Sequence, residues 1–150
     1  IDRGKARGVI PVAADSSKVF RINTDKEQRY RVIYSFGWYL RKMIDDCREK
    51  GAVTIIVSLT PRNKWKDGKI ERRDHFYGEM YRAVAAETGV EFVDLHNIAA
   101  DFLDKKGQKR AAAYFNHDHT HTSKLGATQN ARNVARGLRA IKSKLASYTK

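Results

Sequence analysis

The sequence predicts an α/β fold built on a parallel sheet, and three observations carry the prediction. "VTIIVSL", residues 53–59, is β-branched and apolar on both faces, as in a strand covered by helices on both sides of its sheet. Helical patterns lie before and after it, and a second short strand pattern, "VEFVDL", follows the later one. The order helix, strand, helix, strand, helix, helix is that of a parallel α/β sheet.

In chain order, an irregular opening of about 28 residues gives way to Val32, Ile33, Phe36, Leu40, Met43, Ile44 and Cys47 at helical spacing, with Gly51 placed to end that helix. "TPRN" closes the first strand, because Pro61 cannot continue a central strand. A charged loop, "RNKWKDGKIERRD", leads to a second helix over 74–87, with Phe76, Met80, Ala83 and Val84 on one side and Gly89 as its C-cap. After "VEFVDL" come a short helix over 97–105 and a loop to about Thr122. A long last helix then carries Leu125, Thr128, Ala131, Ala135, Leu138, Ile141 and Leu145 at spacings of three and four. No repeat or internal boundary interrupts the pattern, and 150 residues with 41% apolar content suit a single domain, 1–150, with one core.

The apolar runs are far shorter than the ~20 residues that span a bilayer, and "IDRGKARG" does not read as a signal peptide, so a soluble chain with no membrane partner is expected. The single cysteine, Cys47, occupies a core-facing helical position, so no disulfide framework exists and a buried structural thiol is expected. The formal charge of +13 concentrates polyanions around the protein, and both nucleic acid and acidic polysaccharide qualify. A solvated basic face is the alternative, because Lys and Arg are spread over every helix.

The chemistry gathers in "FNHDHTHTSKLGA", residues 115–127, where three of the five histidines and an aspartate fall between His117 and His121. One reading is a metal site, since His117 and His121 have helical ligand spacing and Asp118 can add an oxygen. The flanking Asn116, Thr120, Thr122 and Ser123 favour caps and turns, and on a loop the spacing argument lapses. The other reading pairs Asp118 with His121 as D-x-x-H, the carboxylate fixing the tautomer of a histidine that acts as general base. Thr122 or Ser123 would then cap the last helix. "TPRN" follows a strand directly, and ligands of such folds gather at the carboxyl ends of strands, so both segments can face one crevice.

"SFGWYLRKMIDDCREKGAVTIIVSLTPRNKWKDGKI", "FVDLHNIAADFLDKKG" and "YFNHDHTHTSKLGA" together resemble the SGNH, or GDSL-type, hydrolase superfamily, and within it the rhamnogalacturonan acetylesterases. The resemblance covers about Arg7 to Gly137. It implies a three-layer α/β/α, flavodoxin-like fold, no metal or other cofactor, secretion or a periplasmic location, and deacetylation of pectic rhamnogalacturonan by a Ser-His-Asp triad. Asp118 and His121 match the last sequence block of that family. An acidic substrate backbone is consistent with the charge and disfavours nucleic acid as the partner.

The family's GDS serine, its glycine and its G-x-N-D block are absent, and "RGVIPVAADSS" resembles the segment that follows the last of these. The chain therefore reads as the carboxyl-terminal portion of such a domain, with the N-terminal strands of the sheet missing. "ADS" at Ala14 to Ser16 mimics GDS in letters only. Hydrolytic inertness of the chain alone is expected, together with an unpaired edge on the strand at 53–59 that either pairs with a second copy or with the missing segment or leaves the chain marginally stable.

Arg62 and Asn63 are candidates to hold a sugar carboxylate or hydroxyl, or else to tie down their own loop. Trp65 offers a stacking face for a sugar ring, whereas Trp38, inside a helical pattern, belongs with the core. His119 is a substrate-side candidate directed away from His121, or simply exposed, and His117 is similar. Two rival functions stay open: a non-catalytic polyanion-binding domain, and a metallohydrolase built on His117, Asp118 and His121.

Overall fold

The structure is a computed structural model that describes Asp15 and residues 17–24, 27–72 and 77–149. The chain divides into two compact units, residues 1–54 with 80–90 and residues 55–79 with 91–150.

In the first unit, β1 (Ser17–Thr24) and β2 (Glu27–Tyr34) pair antiparallel in unbroken register, from Ser17 opposite Tyr34 to Thr24 opposite Glu27. This hairpin corrects the irregular reading of residues 17–24 and 27–28 and the helical reading of Val32 and Ile33; residues 1–14 lie outside the described residues. Val32 is exposed and Ile33 buried, the alternation of a strand. The helix begins only where Ser35 can cap it: its Oγ accepts the Trp38 N–H at 3.1 Å, and α1 runs Phe36–Glu49. Gly51, at φ 70°, ends it as expected. Trp38 stacks on Tyr34 with ring centroids 3.9 Å apart, and Cys47 is half-buried.

The second helix, α2, is described over Tyr77–Thr88, in the expected place, and Asp74 and Phe76 lie outside the described residues. Met80, Val84 and Ala85 are buried, while Ala83 is exposed. Phe36 meets Tyr81 edge to face at 5.1 Å, Arg41 forks onto the Glu87 carboxylate, and the Arg48 guanidinium donates to the Thr88 carbonyl. These contacts fasten α1 to the end of α2.

In the second unit, β3 (Ile55–Val57) and β6 (Glu91–Val93) run parallel, with Ile56 opposite Phe92. The α/β class and the parallel direction agree with the sequence reading, and each strand is three residues long. The Asp94 carboxylate caps α3 (Leu95–Lys106), accepting the Asn97 N–H at 3.2 Å and its Nδ2 at 2.8 Å.

The charged segment after "TPRN" is not an open loop. β4 (Trp65–Lys66) and β5 (Lys69–Ile70) form a hairpin whose turn residues, Asp67 and Gly68, both have positive φ, as a type I′ turn requires. Asp104 of α3 clamps it, accepting the Ile70 N–H at 2.7 Å and Arg72 at 3.0 Å. Ile70 joins Ala100, Leu103, Ala111 and Phe115 in the core, and Trp65, Phe102 and Tyr114 pack against that cluster. The stretch before Thr122 likewise holds α4 (Gln108–Ala111) and a 3-10 turn, Ala112–Tyr114.

Ser123 caps α5 (Lys124–Ala140), accepting the Gly126 N–H at 3.1 Å. Its buried face matches the expected one only at Leu138: Leu125, Thr128, Ala131 and Ile141 are exposed, while Gly126, Asn133 and Gly137 are buried beside Leu138. Close packing is the reason. A Cβ on Gly137 would lie 2.4 Å from Val93 Cγ1, so this face selects small residues, and apolar periodicity points elsewhere. Leu145 lies past the α-helix, in the 3-10 segment Lys144–Tyr148. Among the described residues no helix is long and apolar enough to cross a membrane.

Candidate functional site

Residues 115–122 form a loop closed at its neck. Phe115 and Thr122 make an antiparallel bridge, the Asn116 N–H donates to the His121 carbonyl at 2.9 Å, and the Ser123 N–H donates to the Tyr114 carbonyl at 3.0 Å. Asn116 Nδ2 adds a bond to the Thr122 carbonyl at 3.1 Å. Asn, Asp, Ser and Thr suit such a loop because their side chains bond readily to nearby backbone.

Inside this frame Asp118 turns toward His121. Its Oδ1 accepts the backbone N–H groups of Thr120 at 2.8 Å and His121 at 2.7 Å, and its Oδ2 lies 2.5 Å from His121 Nδ1. With Asp118 ionised, Nδ1 carries the proton, so in the neutral ring Nε2 keeps its lone pair. The backbone N–H of His121, its ring and the N–H of Thr120 together hold the Asp118 carboxyl well below the usual carboxylate range. The His121 side chain is 74% exposed, so the pair sits at the surface.

The lowered Asp118 value fixes a sign. A carboxyl group whose folded-state pKa is depressed contributes stability that is complete above its unfolded value of about 4. That contribution is lost as pH falls from there through the folded value. The stability difference between the native chain and Asp118→Asn, read from urea unfolding, should therefore shrink as pH falls below about 4. A difference that grows as pH falls further below about 4 would contradict the geometry.

The segment after β3 meets this loop directly, since the Asn63 N–H donates to the His119 carbonyl at 2.8 Å. Arg62 is exposed. Asn63 is half-buried, and its Oδ1 accepts the Trp65 indole N–H at 2.8 Å, so Asn63 ties down Trp65, whose ring already leans on the core. His117 and His119 are exposed. Among the described residues no three His, Cys, Asp or Glu side chains gather as metal ligands. Ser16 lies outside the described residues.

A cavity of about 250 Å³ opens beyond the carboxyl ends of β3 and β6, lined by Thr60, Arg62, Lys64, Glu71, Tyr77 and His96 among others. His96 is buried; its backbone N–H donates to Ser58 Oγ at 2.9 Å and its Nδ1 to the Leu59 carbonyl at 3.2 Å. Lys64, Tyr77 and His96 were not singled out in the sequence. The signal for His96 is its place directly after "VEFVDL", where a parallel strand ends.

No family model matches the chain. A probable rhamnogalacturonan acetylesterase of Bacillus subtilis is 26% identical over 153 residues, covering 94% of this chain and 70% of its own length. The rhamnogalacturonan acetylesterase of Emericella nidulans is 30% identical over 80 residues, covering 53% of this chain and 33% of its own length. The crystal structure of protein YxiM from Bacillus subtilis superposes with a TM-score of 0.64 at 23% identity, over 69% of this chain and 30% of that one. The chain thus spans between a third and 70% of these curated relatives. It is a distant relative of the rhamnogalacturonan acetylesterases, and it shares an α/β fold with YxiM.

Proposed function

We propose that the chain is the acid–base portion of a carbohydrate O-acetylesterase that deacetylates pectic rhamnogalacturonan or a related acetylated acidic polysaccharide. The observation that carries this reading is the Asp118–His121 pair, bonded at 2.5 Å with the carboxylate held by two further backbone N–H groups. Nε2 of His121 takes the proton of a serine hydroxyl, whose oxygen attacks the acetyl carbonyl. The tetrahedral intermediate collapses to acetyl-enzyme, and the departing sugar oxygen receives that proton from His121. Water, deprotonated by His121, then attacks the acetyl-enzyme; acetate leaves and the serine recovers its proton. Asp118 orients the ring and stabilises the imidazolium.

The nucleophilic serine and the oxyanion-hole groups come, in this reading, from outside these 150 residues, with which the chain completes one domain. The enzyme would act outside the cell or in the periplasm. The charge of +13 favours an acidic substrate. A non-catalytic polyanion-binding domain would use the same charge but has no need of the Asp118–His121 bond. The test is acetate release from acetylated rhamnogalacturonan by the 150-residue chain and by a longer protein joining it to a GDS-type serine. Release by the longer protein alone is expected. No release from either would remove the esterase reading, and saturable release by the short chain, abolished by Ser16→Ala, would place the nucleophile within it.

A further inference from the structure

The cavity at the carboxyl ends of β3 and β6 has no part in the proton transfers assigned to Asp118 and His121. We propose that it binds one uronate ring, with the sugar's carboxylate held by Arg62 and Lys64. The identification of the ligand as a sugar rests on the acetylesterase reading, whereas its negative charge follows from the lining.

Position comes first, because ligands of parallel α/β folds collect beyond the carboxyl ends of the strands. A volume of about 250 Å³ lies below the roughly 300–1,000 Å³ of drug-sized pockets, which suits a single ring. The lining sets two cations, Arg62 and Lys64, against one carboxylate, Glu71. Arg41, Arg48 and Arg72 are each paired with acidic side chains, but among the described residues neither Arg62 nor Lys64 has a carboxylate partner. Arg62 presents a planar fork that matches a carboxylate in bidentate fashion. The Glu71 N–H donates to the Lys64 carbonyl at 2.7 Å, which fixes the backbone from which Lys64 projects. Thr60 and Tyr77 supply hydroxyls that can exchange hydrogen bonds with those of a sugar.

The test is titration of the 150-residue chain with D-galacturonate and with D-galactose, followed by calorimetry or amide chemical shifts. Galacturonate should bind at least tenfold more tightly than galactose. The double variant Arg62→Gln/Lys64→Gln should erase that preference, while Lys109→Gln/Arg110→Gln, an equal loss of charge on α4, should leave it within twofold. Arg62→Lys keeps the charge and loses the fork, so it should weaken galacturonate severalfold even if the double variant fails to fold. Equal affinity for the two sugars, an unaffected Arg62→Lys, or equal losses in the α4 variant would overturn the proposal. Because the readout is binding and not ester turnover, such a result would leave the assignment of His121 to its own test.

Discussion

His121→Ala should lower acetate release by a protein that joins this chain to the serine nucleophile by on the order of 10⁶-fold, the scale seen when a triad histidine is removed. Asp118→Asn should lower it less, by about 10⁴-fold, because the ring survives and only its tautomer and orientation are lost. The geometry supports this ranking: Asp118 reaches Nδ1, and proton transfer belongs to Nε2. The asparagine can still accept the N–H groups of Thr120 and His121 through its side-chain oxygen, so the loop should hold its shape. Turnover of the acetylated polysaccharide, with thermal melts showing that both variants are folded, is the measurement. Near-normal acetate release by the alanine variant would end the assignment.

The largest effect on stability is expected at Gly126. A Cβ there would lie 1.9 Å from the Tyr114 carbonyl oxygen and 3.1 Å from Thr122 Cβ. The obstacle is backbone, and it is occupied: the same carbonyl accepts the Ser123 N–H that closes the neck of the Asp118–His121 loop. It cannot swing aside without breaking that bond. Gly126→Ala should therefore cost about 3 kcal/mol, the upper part of the overpacking range, and lower Tm by on the order of 10 °C. Lys124→Ala, exposed in the same turn, should change stability by less than about 0.5 kcal/mol. An unchanged urea midpoint for Gly126→Ala would contradict the close approach.

What the sequence disclosed and what it hid follow from where each signal resides. Gly51, Gly89 and Ser123 act through their own backbone or hydroxyl, and each stands where it was expected. The strand at 55–57 was legible because Ile55, Ile56 and Val57 form an unbroken β-branched run, but cover on both faces is not what the structure has: only Ile56 is buried, and Val53 and Leu59 are exposed beyond the strand. The hairpin of β1 and β2 was missed because Val32, Ile33 and Phe36 fit a helical period as well as a strand, and Ser35, the residue that separates them, is a cap whose meaning depends on the turn after it. The Asp67–Gly68 turn was lost among charged neighbours. On α5 the buried face consists of Gly126, Asn133 and Gly137 beside Leu138, and residues chosen for smallness leave no hydrophobic trace. The D-x-x-H pair was visible because its partners are local, whereas the Asn63–His119 bond and the cavity at His96 depend on contacts between distant segments.

That Asn63–His119 bond makes a lever of two loops. Arg62 lies one residue from one end of it and His121 two residues from the other, so in the esterase proposed above a substrate carboxylate on the guanidinium and the imidazole would be joined through a few stiff peptide planes. Grip on a distant part of a substrate can in this way be spent on aiming the base, which raises the turnover number instead of merely lengthening residence. Under the proposed function, a neutral or shortened substrate should then be processed slowly even at saturation, so that polymers are discriminated by speed as much as by affinity.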